Sequence, residues 1–272
     1  MSIKQITVYN VGFGDCLKMQ LDNNKHILLD CGGNIVNSKK EKIKNDILDS
    51  QKSGVNLIIS HFHSDHYNIL QLFEAETVDV LYIPNFFSQN EIKLLLYLLL
   101  VQSSKSNIYL FALELLMLIP NVVFSKKAKK SIIKKNGCII FVKKGDTILD
   151  EFNVLWPMVN NDNVNKILNV IQNQFINNQY INDRITDLTK YYEEQINVIQ
   201  NREIPTISDA NINVFEYAAI KIQEIVNEEL KLREELDNKI NFNNETKTLI
   251  RNIQNSVSLV FQSRDNTKNV YF

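Results

Sequence analysis

Three of the four histidines in this sequence fall within one six-residue segment, which also contains an aspartate. The segment reads HFHSDH over residues 61–66. Imidazole and carboxylate groups are ligands that zinc, manganese and iron accept in proteins, and side chains two residues apart share a face of an extended chain. The spacing therefore predicts that His61 and His63 bind one metal ion and that Asp65 and His66, further along, bind a second.

The elements around this segment would place it at the end of a buried strand. Residues 55–60 read VNLIIS, an apolar and β-branched run that is typical of an interior strand, and a helix is expected to begin near Ile69. Earlier in the chain, residues 17–21 and 26–30 flank a polar turn and predict a hairpin. Because α/β proteins place chemistry where a strand ends in a polar loop, the pattern predicts an α/β fold with a metal site at a strand end.

The metal segment resembles the H-x-H-x-D-H motif of the metallo-β-lactamase-fold superfamily. Five further segments resemble the competence-type branch of that superfamily, the family of the hydrolase domain of the DNA-uptake protein. They read VGFGD at 11–15, LLDCG at 28–32, KGDT at 144–147, VLWP at 154–157 and NSVSLV at 255–260. The resemblance covers residues 3–159 and 255–272, and the metal segment is its most specific part.

The resemblance implies an α/β fold of the αββα metallo-β-lactamase type. Residues 1–159 would form its N-terminal part, and residues 255–272 would return strands to it. Residues 160–254 have no counterpart in the basic fold, and helical spacing over 164–200 and 208–240 predicts an inserted long helical hairpin. The high polar content of this hairpin predicts that it projects from the body of the protein or contacts a partner.

The resemblance also implies a role for each residue of the motif. His61 and His63 would hold the first metal, and Asp65 and His66 would hold the second. Asp65 would be the catalytic residue as well, since it would orient a hydroxide that bridges the two ions. Both ions would be divalent, with zinc favoured and manganese or iron as the alternatives.

Four residues outside the motif are implied to lie beside the metals. Asp30 would fix a histidine ring, although capping the loop after its strand is an equally good role. Asp15 likewise would either lie at the metal site or have only a structural role in its loop. Asn255 and Ser258 would line the pocket, the alternative being that they are ordinary residues at the start of a strand.

The resemblance is incomplete in the second half of the fold. After the strand at 255–260 the superfamily has a bridging aspartate in a Gly-Asp turn and a further histidine, but no histidine follows His66 in this sequence. The turn at 145–146 matches an earlier part of the pattern. We therefore expect an under-ligated second metal and a C-terminally truncated second half. The alternatives are a separately made second half, self-association into a homo-oligomer, or a degenerate binding module.

The branch implies a metal-dependent hydrolase of phosphodiesters, with nucleic acid as the expected substrate. The 30 basic and 31 acidic side chains leave a net charge of -1, which argues against a bulk electrostatic grip on nucleic acid but allows a local basic patch. One alternative is a thioester or lactone hydrolase that uses the same motif. Another is a non-catalytic scaffold that binds a protein partner through the helical hairpin.

Composition also indicates a location. Three cysteines cannot build a disulfide framework, which predicts a reducing compartment and therefore the cytoplasm. The most apolar stretches, 94–101 and 108–119, are shorter than the roughly 20 residues that a membrane span needs, so no membrane span is predicted.

Overall fold

The structure is a computed structural model that describes residues 3–23, 25–49, 54–101, 106–156, 161–175, 177–204, 213–234 and 242–264. Its strands are β1 (Ile3–Val8), β2 (Leu17–Leu21), β3 (His26–Leu29), β4 (Val55–Ile58), β5 (Val78–Pro84), β6 (Ile133–Val142), β7 (Thr147–Ile148), β8 (Phe152–Trp156) and β9 (Val260–Ser263). Its helices are α1 (Asn37–Asp49), α2 (Gln89–Val101), α3 (Asn107–Leu116), α4 (Leu118–Val123), α5 (Asn161–Gln174), α6 (Gln179–Asn201), α7 (Val214–Glu234) and α8 (Asn244–Ser256). The α/β class predicted from the sequence is confirmed.

A mixed sheet carries the first six strands side by side in chain order. β1, β2 and β3 pair antiparallel, which forms the predicted hairpin, and β3 to β6 run parallel. Leu29, which ends β3, lies opposite Ile58, which ends β4. Because neighbouring parallel strands end at the same edge of a sheet, the residues that follow them, Asp30 and Ser60, meet at that edge.

A smaller antiparallel sheet, ordered β7-β8-β9, faces the large sheet. The core between the two sheets contains Ile58 of β4 on one side and Phe152 and Phe261 on the other. The two phenylalanine rings contact edge to face, with 5.3 Å between their centroids. The Leu259 N–H donates to the Ser60 carbonyl at 2.7 Å, so the approach to β9 is fixed against the end of β4.

The helices pack on the other face of the large sheet. Leu57 of β4 belongs to the core that they form, whereas its neighbour Ile58 belongs to the core between the sheets, as the alternation of a strand requires. Each helix named above contributes buried residues to the helical core. Among the residues that the structure describes, no helix is long and apolar enough to cross a membrane.

Where the structure describes the segment 160–254, it forms the four helices α5 to α8 in place of the two expected. α6 and α7 pack against one another, and both also pack against α2. The expectation that this segment projects from the body is wrong, since Tyr192 of α6 and Phe215 of α7 are fully buried. The reason is α2, in which residues 94–100 are all buried and need neighbours on every side. This packing leaves the scaffold hypothesis without a projecting hairpin.

The chain after the metal segment also differs from the expectation. The helix expected from Ile69 is not formed, and two single turns of 3-10 helix, Ser64–His66 and Leu70–Leu72, take its place. The Ile69 N–H donates instead to the carbonyl of Cys31 at 2.9 Å. The backbone becomes extended at Phe73, with φ −67° and ψ 153°, which ends the second turn.

Candidate metal centre

The HFHSDH segment lies at the edge of the large sheet where β4 ends. The chain is extended at His63, with φ −74° and ψ 146°, and then makes the 3-10 turn Ser64–His66. Asp65 and His66 therefore lie on the turn. The ring centroids of His61 and His63 are 4.3 Å apart, and those of His61 and His66 are 5.3 Å apart. The three imidazoles thus form one cluster.

His61 is held by a residue distant in sequence. Its Nδ1 lies 2.7 Å from Oγ of Ser258, in the loop between α8 and β9. A partner on one ring nitrogen fixes the ring and leaves the other, Nε2, available to a metal. Ser258 is therefore part of the site. Asn255 lines the same cleft, but from the last turn of α8 and not from the start of a strand.

His66 is held by Asp30, the residue that follows β3. The Asp30 carboxylate accepts hydrogen bonds from His66 Nδ1 at 2.9 Å, from the Ser60 N–H at 2.7 Å and from the Ser60 hydroxyl. Asp30 is buried, and its backbone has φ 52°, a left-handed conformation that aspartate adopts more readily than most residues. Asp30 thus joins the ends of β3 and β4 and orients the His66 ring.

Asp15 approaches the same ring, with Oδ2 3.7 Å from His66 Nδ1. Asp15, Asp30 and His66 each offer one ligand atom within 4.8 Å of the others, and they are the one such group of three in the described part of the chain. The three donors on Asp30 already use much of its capacity to accept. Asp30 is therefore better suited to orienting the His66 ring than to binding a metal directly. In that arrangement Nε2 of His66 remains available to a metal.

Burial and neighbouring charges shift the pKa values of the three histidines in different directions. Burial lowers the pKa of His61 to about 4, and the charges of His63 and His66 add to that shift. Burial also lowers the pKa of His63. It opposes a charge on His66 too, but the hydrogen bond and charge of Asp30, together with Asp65, outweigh it and raise the pKa of His66. The neutral rings of His61 and His63 can bind a cation without first releasing a proton.

His61 and His63 open onto a cleft of about 510 Å³, whose lining does not include His66. Its walls are the motif residues 61–63, one face of α3, and residues of the segment 254–258. Of the described residues that line it, none is a lysine or an arginine. The volume suits a small-molecule substrate, and the lining offers no permanently charged cation to an anionic one. His26, at the start of β3, belongs to neither the cluster nor the cleft.

Two glycines let the turn that carries Asp65 and His66 pack against neighbouring loops. A Cβ on Gly32 would lie 2.2 Å from the carbonyl oxygen of Asp65, and a Cβ on Gly14, which has φ 110°, would meet the same atom at 2.2 Å. Beside this contact, the Cys31 N–H donates to the His66 carbonyl at 2.7 Å. The close approach therefore fixes the backbone that carries Asp65 and His66.

Replacing Gly32 by alanine is expected to lower the free energy of unfolding by about 1–3 kcal/mol and to weaken zinc binding, because the added methyl group must displace the Asp65 backbone. Urea denaturation and calorimetric zinc titration measure both effects. Gly145→Ala is the control, since a Cβ there meets no atom within 4 Å although its φ is 96°. Backbone strain would cost that variant about 1 kcal/mol without changing zinc affinity. Unchanged zinc binding by the Gly32 variant would show that the close approach does not position the site.

Glu114 of α3 lies at the site although no motif indicated it. Its Oε2 is 3.5 Å from Nε2 of His63. Burial, with a contribution from the charge of Asp65, raises the pKa of its carboxyl group. The sequence did contain a signal, since Glu114 is the one charged residue between Ser106 and Ser125. A single carboxylate in an otherwise apolar segment is unusual enough to indicate a specific role.

No family model, curated protein or solved structure matches this chain.

Proposed function

We propose that this chain is a divalent-metal-dependent hydrolase built on an αββα sandwich of the metallo-β-lactamase type. Its two facing sheets and the helical layer on the outer face of the large one correspond to three of the four layers of this fold and support the proposal. The observation that carries the function is the pair of fixed rings. His61 Nδ1 contacts Ser258 and His66 Nδ1 contacts Asp30, so both rings keep Nε2 for a cation.

The donor set fits zinc, with manganese or iron as alternatives. Three imidazoles and the carboxylate of Asp65 are the borderline and hard ligands that these ions accept. The charge of Asp65 favours the protonated forms of His61, His63 and His66, so its carboxylate lies near enough to act on each ring. The same negative potential would attract a metal cation.

When bound, the metal would supply a Lewis acid and lower the pKa of an attacking water. The residues of the chain supply position and proton transfer. Ser258 and Asp30 hold the rings of His61 and His66 in one orientation each. Asp65, on the turn beside those rings, would accept a proton from the attacking water. Phe62 lines the cleft beside His61 and His63.

The substrate class has two candidates. The resemblance to the competence-type branch favours a phosphodiester. The cleft favours an acyl substrate such as a thioester or lactone, because Phe62, Leu110 and Phe111 line it and its described walls hold no lysine or arginine. Proteins that bind nucleic acid neutralise its phosphates with lysine and arginine side chains. An adjoining, mainly apolar pocket of about 320 Å³, which shares Glu114 with the cleft, could take the acyl chain.

The first test is zinc binding by the purified chain. Isothermal titration calorimetry should detect binding to the wild type, and both His61→Ala and His63→Ala should weaken it at least about 100-fold, because each removes a ligand. Thermal unfolding of the metal-free variants should stay close to wild type, since both side chains lie on a loop at a strand end. His26→Ala is the matched control and should bind zinc like the wild type. The proposal fails if the wild type binds no divalent metal, or if the two variants bind it unchanged.

The second test separates the substrate classes. Zinc-loaded and manganese-loaded protein would be assayed with a chromogenic phosphodiester, a thioester and a lactone. Hydrolysis of the phosphodiester alone supports the first candidate, and hydrolysis of the acyl substrates alone supports the second. His63→Ala must lose any activity seen, or that activity belongs to a contaminant.

A further inference from the structure

Glu114 is placed at the cleft by the helical period of α3. Asn107, Leu110, Phe111 and Glu114 all line the cleft, and their spacing of three, four and seven residues puts them on one face of the helix. Phe111 packs edge to face on Phe62 of the motif, with 5.4 Å between ring centroids. That contact presses the helix against the motif one turn before Glu114. The carboxylate therefore faces the histidines because of how the helix packs.

The contact between Glu114 and His63 is not explained by hydrogen bonding. The 3.5 Å between Oε2 and Nε2 is longer than a good N–H···O hydrogen bond. It is close to the separation of about 3.3–3.4 Å between two ligand atoms on a tetrahedral zinc with bonds of 2.0–2.1 Å. His63 Nε2 is also the atom by which this ring would bind an ion. The two groups are spaced as co-ligands would be.

Glu114 also lacks an opposite charge. In the described ranges its one ion-pair partner is His63, and no lysine or arginine pairs with it. The Glu114 side chain is about two-thirds buried, and the negative charge of Asp65 acts on its carboxyl group. Two carboxylates and a cluster of imidazoles without a permanent cation are the environment that a divalent ion would neutralise.

We propose that Glu114 is a metal ligand, and that it completes with His61 and His63 a site of two imidazoles and one carboxylate. This inference rests on the proposed function and supplies a ligand that the motif alone lacks. His61 is fixed by Ser258, whereas the side chains of His63 and Glu114 are half and one-third exposed. The three ligand atoms are not all within 4.8 Å of one another, so the two freer side chains rotate inward when the ion binds.

The experiment compares Glu114→Gln and Glu114→Ala with the wild type in calorimetric zinc titrations. Both variants should bind zinc about 10- to 100-fold more weakly, because a neutral amide or a methyl group replaces an anionic ligand. Absorption spectra of the cobalt-substituted proteins give a second readout, since losing a carboxylate ligand changes the ligand-field bands. Glu193→Gln, a half-buried carboxylate of α6 outside the cleft, is the matched control and should change neither.

The outcomes separate this inference from the proposed function. If the wild type binds no metal, the proposed function fails and the inference fails with it. If His61→Ala and His63→Ala weaken binding but Glu114→Gln leaves affinity and cobalt spectrum unchanged, Glu114 is not a ligand and the proposed function stands. Thermal unfolding of each metal-free variant shows whether weaker binding comes from a damaged fold, and an unchanged midpoint with weaker binding supports the inference.

Discussion

Replacing Asp30 by alanine is expected to lower the free energy of unfolding by about 3–5 kcal/mol and zinc affinity by about 10- to 100-fold. The buried carboxylate accepts hydrogen bonds from His66 and from both donors of Ser60. Alanine would leave these donors without an acceptor, which costs more than the net value of the hydrogen bonds themselves. Urea denaturation and zinc titration measure the two losses.

Asp30→Asn separates the loss of stability from the loss of metal binding. Asparagine keeps the shape of the side chain and also adopts left-handed backbone readily. Its neutral amide no longer favours a proton on Nδ1 of His66, so the proton moves toward Nε2, the atom that a metal needs. Asp15→Asn is the control, because its exposed carboxylate lies 3.7 Å from the same nitrogen. Equal effects of the two substitutions would contradict the role of Asp30.

Replacing Glu229 by glutamine is expected to flatten the pH dependence of stability. Glu229 of α7 is fully buried, and within the described residues neither carboxylate oxygen has a hydrogen-bond donor. Burial raises its pKa to about 8 against the opposing charge of Arg184. Between about pH 4.5 and pH 8 the unfolded chain releases a proton that the folded chain keeps, so the stability falls as pH rises. The stability that protonated Glu229 contributes is complete below pH 4.5 and is lost as the pH rises to about 8.

The size of this effect follows from the shift, at about 1.4 kcal/mol for each pKa unit, which gives up to about 5 kcal/mol between acid and alkaline conditions. Urea denaturation at several pH values should show the wild type losing stability relative to Glu229→Gln by several kcal/mol. Glu228→Gln is the control, since the carboxylate of Glu228 neighbours Glu229 in sequence but is half exposed and paired with Arg184. This control substitution should change the free energy of unfolding by about 1 kcal/mol or less. Parallel pH profiles for wild type and Glu229→Gln would contradict the prediction.

The parts of the site that sequence could predict are those with local patterns. Residues 55–60 are mainly apolar and are followed at once by the histidine cluster, so an apolar run and a motif together indicated the candidate site. Asp30 was predicted as a partner for a histidine ring through its resemblance to a family segment, and in the structure it contacts His66. Whether these groups bind metal stays a prediction.

The parts that sequence could not predict depend on contacts between distant segments. Glu114 reaches His63 because Phe111 packs on Phe62, and no spacing along the chain encodes that pairing. The helices after residue 160 looked too polar for a core because their buried faces are narrow. These helices cover α2, and that role became evident only from the structure, in which α2 is buried on every side. Tertiary packing, and not local propensity, decided both cases.

The hydrogen bond between His61 and Ser258 joins residues 197 positions apart. Closing a loop of that length costs conformational entropy, and long-range contacts of this kind slow folding. A folding intermediate that contains only the large sheet would have the proposed metal ligands of the motif but no fixed orientation for His61. If the chain binds an ion as proposed, its affinity would report how completely the chain has folded, as well as which ligands it carries.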